Sequence, residues 1–136
     1  LAVEHARQND IPFFGICLGL QLFFQSSQES KNVEGLGLVM GNVKKLNKSD
    51  LYSIPRIGWA ESMVKNNFLG LEKNQSIDFY YIHSYFVKPD DPNIIHVFSQ
   101  GDVPSCIKLD NIYGCQFHPE KSHTIGLNIL KQFSIL

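Results

Sequence analysis

The chain has 136 residues, 43% of them hydrophobic, which suits one compact domain with a buried core and excludes a disordered chain. Twelve Lys and Arg against 13 Asp and Glu give a net charge of −1, so no basic excess is available for nucleic acid. No apolar run reaches the roughly 18 residues of a membrane span, and no secretory signal is evident. The three cysteines form no CxxC pair. We therefore expect a cytoplasmic protein with no membrane partner and no disulfide scaffold.

The first part of the chain predicts a helix, a strand and a second helix. Residues 2–6 have the pattern of a helix end, and the chain starts within that pattern at Leu1 rather than at a Met. The continuous apolar run of residues 11–16 is typical of a strand buried on both faces. Residues 18–28 are apolar on most sides, which predicts a buried helix. We therefore expect a partial record of a longer protein, without an N-terminal part of its fold.

From about residue 36 onward, short β-prone runs are separated by Gly, Pro, Asn and Asp. The predicted strands cover residues 43–46, 61–64, 77–82, 85–87, 94–99, 105–109 and 112–117. Residues 124–134 carry apolar side chains at helical spacing, which predicts an amphipathic closing helix with Ser122 as its N-cap. Cys106 and Cys115 fall in predicted strands, where we expect core positions. The elements together predict an α/β domain with an added mixed or antiparallel β section.

A cysteine stands where the first predicted strand meets the following helix. Residues 12–21 read PFFGICLGLQ, so Cys17 has Gly15 and Gly19 two positions away on either side. This G-x-C-x-G pattern matches the elbow that presents a nucleophile at the end of a strand, where glycines remove steric bulk. The start of a helix should lower the pKa of the thiol. The amide of Leu18 would point at an oxyanion formed beside the sulfur.

A histidine and a glutamate follow the last predicted strand, in the segment YGCQFHPEKS of residues 113–122. Pro119 would end the strand, and an extended backbone sends the side chains of His118 and Glu120 to the same side. A carboxylate beside a histidine can orient the ring and stabilise its protonated form. With the cysteine elbow, these residues form a complete set for acyl transfer.

Of the other four histidines, His5, His96 and His123 have no such companions. We expect His5 to be solvated, His96 to be structural within a strand and His123 to lie at the start of the closing helix. Since no histidine pair has metal-ligand spacing beside cysteines or carboxylates, we expect no metal site and no cofactor.

The two segments GICLGLQ and QFHPEKS resemble the signatures of class I (triad-type) glutamine amidotransferase domains, whose fold is flavodoxin-like. The resemblance covers nearly the whole chain. The segments IPRIGWA at 54–60 and YYIHSYFV at 80–87 are most similar to those of the glutaminase subunits of imidazole glycerol phosphate synthases. The resemblance implies hydrolysis of glutamine to glutamate and ammonia. It also implies that the ammonia passes to a (β/α)8-barrel synthase subunit, in a heterodimer that serves histidine biosynthesis.

The resemblance also implies roles for individual residues. Cys17 matches the nucleophile, His118 the general base and acid, and Glu120 the carboxylate that orients the histidine. The positions that match substrate-binding residues, including one backbone oxyanion donor, are Leu18, Gln21, Ser84 and Tyr85. Those that fall where the family's subunit faces its synthase partner are Trp59, Tyr80 and Lys121.

Two departures from the family pattern leave alternatives open. The family commonly has Asn after Gly-Trp, whereas this chain has Ala60, which puts a partner or channel contact in doubt. The family also places earlier strands and a Gly-rich loop, with a second oxyanion donor, before the cysteine strand. The alternatives are therefore an amidotransferase subunit of a surface-sugar pathway, and an inactive truncated copy that only docks a synthase.

Overall fold

The structure is a computed structural model that describes residues 2–136. The helices in that range are α1 (Ala2–Gln8), α2 (Leu18–Leu22) and α3 (His123–Ser134). The strands are β1 (Phe13–Ile16), β2 (Ser26–Ser27), β3 (Gly41–Lys45), β4 (Arg56–Val64), β5 (Ser76–His83), β6 (Tyr85–Pro89), β7 (Ile95–Ser99), β8 (Val103–Leu109) and β9 (Ile112–Cys115). Short 3₁₀ turns occupy Pro92–Ile94 and Pro119–Lys121.

The described strands form two sheets. The larger has the order β1-β9-β8-β7-β4-β5, and the smaller has the order β2-β3-β6. In the larger sheet β1 pairs with β9 in parallel, and the remaining neighbours are antiparallel. The predicted α/β domain with a mixed β section is therefore confirmed.

Both faces of the larger sheet are covered at β8, where consecutive residues point to opposite sides and both are buried. On β8, Cys106 packs into a cluster that includes Ile129 of α3, whereas Ile107 packs into a second cluster with Leu20 of α2. Cys106 and Cys115 are fully buried, which confirms their predicted core positions. Burial on both sides explains the continuous apolar runs of this sequence.

The predicted helix over residues 18–28 is wrong beyond Leu22. The carbonyls of Phe23 and Phe24 accept hydrogen bonds from backbone amides in the segment 37–39, so they cannot continue a helical ladder. The chain instead leaves the helix and pairs Ser26–Ser27 in parallel with β3. Helical spacing in the sequence did not reveal this competing loop.

The closing helix is confirmed, but the role predicted for Ser122 is not. Ser122 occupies the N-cap position of α3 without making a side-chain capping hydrogen bond. Its hydroxyl donates to the carbonyl of His118 at 2.7 Å and accepts from the amide of Tyr80 at 3.0 Å. The serine therefore ties β5 to the turn before α3. No helix within residues 2–136 is long and apolar enough to cross a membrane.

Candidate active site

The parallel pairing of β1 with β9 brings the two sequence motifs together. Ile16 lies opposite Cys115 in this pair, and the amide of Cys17 donates to the carbonyl of Cys115 at 2.8 Å. Parallel strands end at the same edge of a sheet, so the residues that follow β1 and β9 emerge side by side. Gln116 donates from Nε2 to the sulfur of Cys17 at 3.6 Å, although the two residues are 99 positions apart.

Cys17 has a backbone conformation that residues other than glycine rarely adopt, with φ 52° and ψ −106°. Strain of this kind clusters at functional sites. A Cβ at Gly15 would lie 2.6 Å from the backbone of Gly19 and from the ring of Phe23, whereas a Cβ at Gly19 would meet no atom within 4 Å. The expected steric need for glycine therefore holds at Gly15 and not at Gly19.

The thiol of Cys17 is less acidic than the sequence predicts. Burial raises its pKa above the ordinary value and outweighs the lowering by the Leu18 amide and the Gln116 side chain. The carboxylates of Glu120 and Glu29 raise the pKa of Cys17 further. The predicted depression is thus wrong, because α2 is a helix of only five residues and desolvation favours the neutral thiol. The thiol donates to the carbonyl of Ile82 at 3.7 Å.

His118 and Glu120 form a close pair. His118 Nδ1 lies 2.7 Å from Glu120 Oε1. Since an ionised carboxylate can only accept, Nδ1 carries the proton and Nε2 remains available as a base. The amide of His118 donates to the carbonyl of Tyr80 at 2.9 Å, which anchors this pair to β5.

A cavity of about 240 Å³ adjoins the sulfur. It brings together five residues that the sequence singled out and three that it did not. The lining consists of Cys17, Leu18, Gln21, Glu29, Ile82, His83, Ser84 and Tyr85. The three additions are Glu29, Ile82 and His83. Glu29 follows β2 and lies just beyond the helix predicted over residues 18–28, where no local pattern marked it. His83 lies in the segment YYIHSYFV, but the resemblance implied a substrate-binding role for its neighbour Ser84 and none for His83.

His83 is a buried, neutral histidine beside the cavity. Its Nδ1 donates to the carbonyl of Tyr85 at 2.8 Å, and burial lowers its pKa to about 4. Arg56 and His118 lower the pKa of His83 further through charge repulsion. His83 therefore helps to shape the turn between β5 and β6 as a neutral hydrogen-bond donor.

This histidine predicts a pH-dependent stability. The unfolded chain binds a proton on His83 near pH 6.5, whereas the folded chain resists protonation until about pH 4. The contribution of neutral His83 to the free energy of unfolding is therefore complete above pH 6.5. It is lost as the pH falls through 4, which lowers the free energy of unfolding by about 3 kcal/mol. Urea unfolding of the parent and of His83→Gln should show their stability difference moving by that amount between pH 7 and 4. A difference that stays constant would contradict this.

The three residues predicted at a partner interface lie together on the outer side of β4 and β5. The ring of Trp59 meets that of Tyr80 edge-on at 5.7 Å and stacks on His123 at 4.6 Å. Lys121 Nζ lies 5.9 Å from the centre of the Tyr80 ring. Ala60, the departure after Gly-Trp, is buried in the core on the opposite side of β4. Trp59, Lys121 and His123 are exposed and Tyr80 is partly buried. We call the cluster of these four residues the aromatic face.

The structure confirms the positions predicted for His5, His96 and His123. His5 is exposed on α1, His96 is partly buried on β7 with Nδ1 2.9 Å from the carbonyl of Asn67, and His123 starts α3. In the part of the chain that the structure describes, no three His, Cys, Asp or Glu side chains are grouped to hold a metal ion.

Comparison with known proteins places these motifs in context. The family described as "Glutamine amidotransferase class-I" matches residues 1–135. The imidazole glycerol phosphate synthase subunit HisH of Methanocaldococcus jannaschii is 41% identical over 127 residues, covering 90% of this chain and 63% of the relative. The subunit HisH of Listeria innocua is 42% identical over 134 residues, covering 98% and 64%. This chain thus spans less than two thirds of the length of these curated relatives.

The fold has a counterpart among solved structures. A crystal structure of a glutamine amidotransferase from Thermotoga maritima matches with a TM-score of 0.61 and 19% identity, over 97% of this chain and 49% of that one. At this identity the match establishes the fold, which is the one that the sequence motifs implied.

Proposed function

Because the chain belongs to the class I glutamine amidotransferase family, we propose that it hydrolyses glutamine to glutamate and ammonia with Cys17, His118 and Glu120. One observation carries the proposal: the sulfur of Cys17 and the His118–Glu120 pair leave adjacent, parallel strands at the same edge of the sheet. The resting thiol is neutral, so it needs a base, and His118 has Nε2 free for that task.

In the proposed reaction, His118 Nε2 takes the proton of Cys17 as the sulfur attacks the side-chain amide carbon of glutamine. The oxyanion forms beside the Leu18 amide, whose N–H acts to lower the pKa of the Cys17 thiol. His118 returns the proton to the departing nitrogen, so ammonia leaves and a glutamyl thioester remains. Water then attacks the thioester with His118 as base, which releases glutamate and restores the thiol. Glu120 holds the ring and stabilises its protonated form.

The cavity beside the sulfur is the proposed substrate site. Glutamine carries an ammonium and a carboxylate at the end remote from the reacting amide. Glu29 lines the cavity and has the charge that suits the ammonium group. Gln21, Ser84 and Tyr85 line the same space and would hold the rest of the amino acid.

A synthase subunit is the proposed partner, as the names of the relatives indicate for those proteins. We assign the docking surface to the aromatic face. Trp59 is 47% exposed, and Ile57 and Met63 on the same side of β4 are 61% and 46% exposed. Exposed aromatic and aliphatic groups of this kind are typical of interface centres. The backbone of Tyr80 bonds that of His118, so the surface adjoins the proposed reaction centre.

The test measures glutamate release by the chain alone and with a synthase subunit of the histidine pathway. We expect hydrolysis that rises with the subunit, and synthase product formed from glutamine. Growth of a histidine auxotroph that lacks this activity would separate the pathway from surface-sugar synthesis.

Trp59→Ala should weaken the increase in hydrolysis that the synthase subunit causes, without changing hydrolysis by the chain alone. Absence of hydrolysis with the subunit bound would contradict the proposed function.

A further inference from the structure

A series of amide hydrogen bonds links a backbone carbonyl of β6 to the sulfur of Cys17. Gln21 donates from Nε2 to the carbonyl of Tyr85 at 3.0 Å and to Gln116 Oε1 at 3.1 Å. Gln116 in turn donates from Nε2 to the sulfur at 3.6 Å. Gln116 has no exposed surface, and Gln21 is 9% exposed. A fully buried amide is retained only where its hydrogen bonds are made.

The carbonyl at one end of this series determines the orientation of both glutamines. A glutamine amide can be placed with its oxygen and nitrogen exchanged, so its neighbours must decide between them. The carbonyl of Tyr85 can only accept, so Gln21 must turn its nitrogen toward it. That nitrogen also faces Gln116, which must therefore present its oxygen. The nitrogen of Gln116 is then the atom that meets Cys17.

We propose that Gln116 is a positioning residue for the nucleophile: its Nε2 holds the sulfur of Cys17 while its Oε1 fixes the amide of Gln21. This inference rests on the proposed glutaminase function. Neither glutamine belongs to the His118–Glu120 pair, and the series contacts the sulfur through Gln116 alone. Gln116 acts through Cys17 and Gln21 and lies outside the cavity lining.

The orientation of Gln21 has a consequence for substrate choice. Both Nε2 hydrogens of Gln21 are used inside the protein, so the group left for the cavity is its carbonyl oxygen. That oxygen accepts hydrogen bonds and cannot donate them. Gln21 therefore selects a ligand group that carries N–H, as the ammonium or carboxamide of glutamine does, and disfavours a carboxylate at the same point.

Two opposing hydrogen bonds act on the sulfur. The thiol hydrogen is directed at the carbonyl of Ile82, which stabilises the neutral thiol. The amide hydrogen of Gln116 is directed at the sulfur and stabilises the thiolate. Removing the Gln116 donor while keeping the volume should therefore shift the balance toward the neutral thiol.

The test is the alkylation of Cys17 by iodoacetamide as a function of pH, in the full chain without glutamine. Gln116→Met removes the donor with little change in volume. We expect alkylation about 3–10-fold slower at pH 7, a midpoint at higher pH, and the same limiting rate at high pH. Mass spectrometry of peptides would assign the label to Cys17, since Cys106 and Cys115 are fully buried.

Gln100→Met is the matched control, because Gln100 is exposed at the turn after β7 and should leave the profile unchanged. A Gln116→Met profile that superimposes on that of the parent would overturn the proposal. Since the assay contains no glutamine, a chain that proves inactive as a glutaminase would still give this reading.

If Gln116→Met does not fold, side-chain amide NMR signals of the unsubstituted chain serve instead. One glutamine amide should then shift with the midpoint of Cys17 ionisation and lose that shift in Cys17→Ala. The absence of such a signal would equally overturn the proposal.

Discussion

Cys17→Ala is expected to lower glutamine hydrolysis by about 10⁴-fold or more, because it removes the atom that forms the thioester in the proposed reaction. Binding groups and the Leu18 amide remain, so residual hydrolysis above the rate in water is compatible with this result. A synthase subunit supplied with ammonium salts should still make product at the parent rate, since ammonia then needs no glutaminase. The measurement is glutamate release beside product formation from glutamine and from ammonium.

Cys106→Ala is the matched control for the loss of a sulfur. Cys106 is fully buried on β8 and has no part in the proposed chemistry. It should lose about 1 kcal/mol of stability through its small cavity and keep glutaminase activity. Full hydrolysis by Cys17→Ala would remove the cysteine from the mechanism.

Gly126→Ala should cost about 2–3 kcal/mol of folding free energy and lower hydrolysis by about 10²-fold. A Cβ at Gly126 would lie 2.0 Å from the carbonyl oxygen of Pro119 and 2.8 Å from Cβ of Ser122. Neither atom belongs to a flexible side-chain end, so α3 must move away from the turn that carries Glu120. A shift of about 1 Å there would displace the carboxylate from His118. Urea unfolding and glutamate release measure the two effects.

Gly19→Ala is the control for the same chemical change inside a helix. Its new Cβ would meet no atom within 4 Å, and alanine is the better helix former. We expect stability to rise by up to about 1 kcal/mol. Equal stability losses in the two variants would show that crowding at Pro119 is not the cause.

The proposed site shows how far the sequence alone could predict it. Cys17 at a strand end and the closeness of His118 to Glu120 were predicted from short spacings in the sequence, although Glu120 lies in the 3₁₀ turn Pro119–Lys121 and not on an extended strand as expected. The sequence motifs also indicated the family, which the comparison confirmed. The proposed contribution of Gln116 could not be predicted, since its partners Cys17 and Gln21 lie 99 and 95 positions away.

The length of α2 and the acidity of Cys17 were predicted wrongly for a common reason. The helix over residues 18–28 ends at Leu22 because a distant loop takes the carbonyls of Phe23 and Phe24. The pKa of Cys17 is raised because the folded chain buries the sulfur. Both errors came from effects that residues far along the chain produce.

By itself, the sequence determined the α/β class, most of the strands, the closing helix and the residue types of the proposed chemistry. These depend on alternation and spacing within about ten residues, which the backbone geometry of one element dictates. Only the tertiary structure decided that β9 lies beside β1, that Glu29 and His83 face the cavity, and that Ala60 points into the core. Strand pairing and desolvation depend on contacts between separate segments of the chain. They are therefore established only when the whole chain has folded.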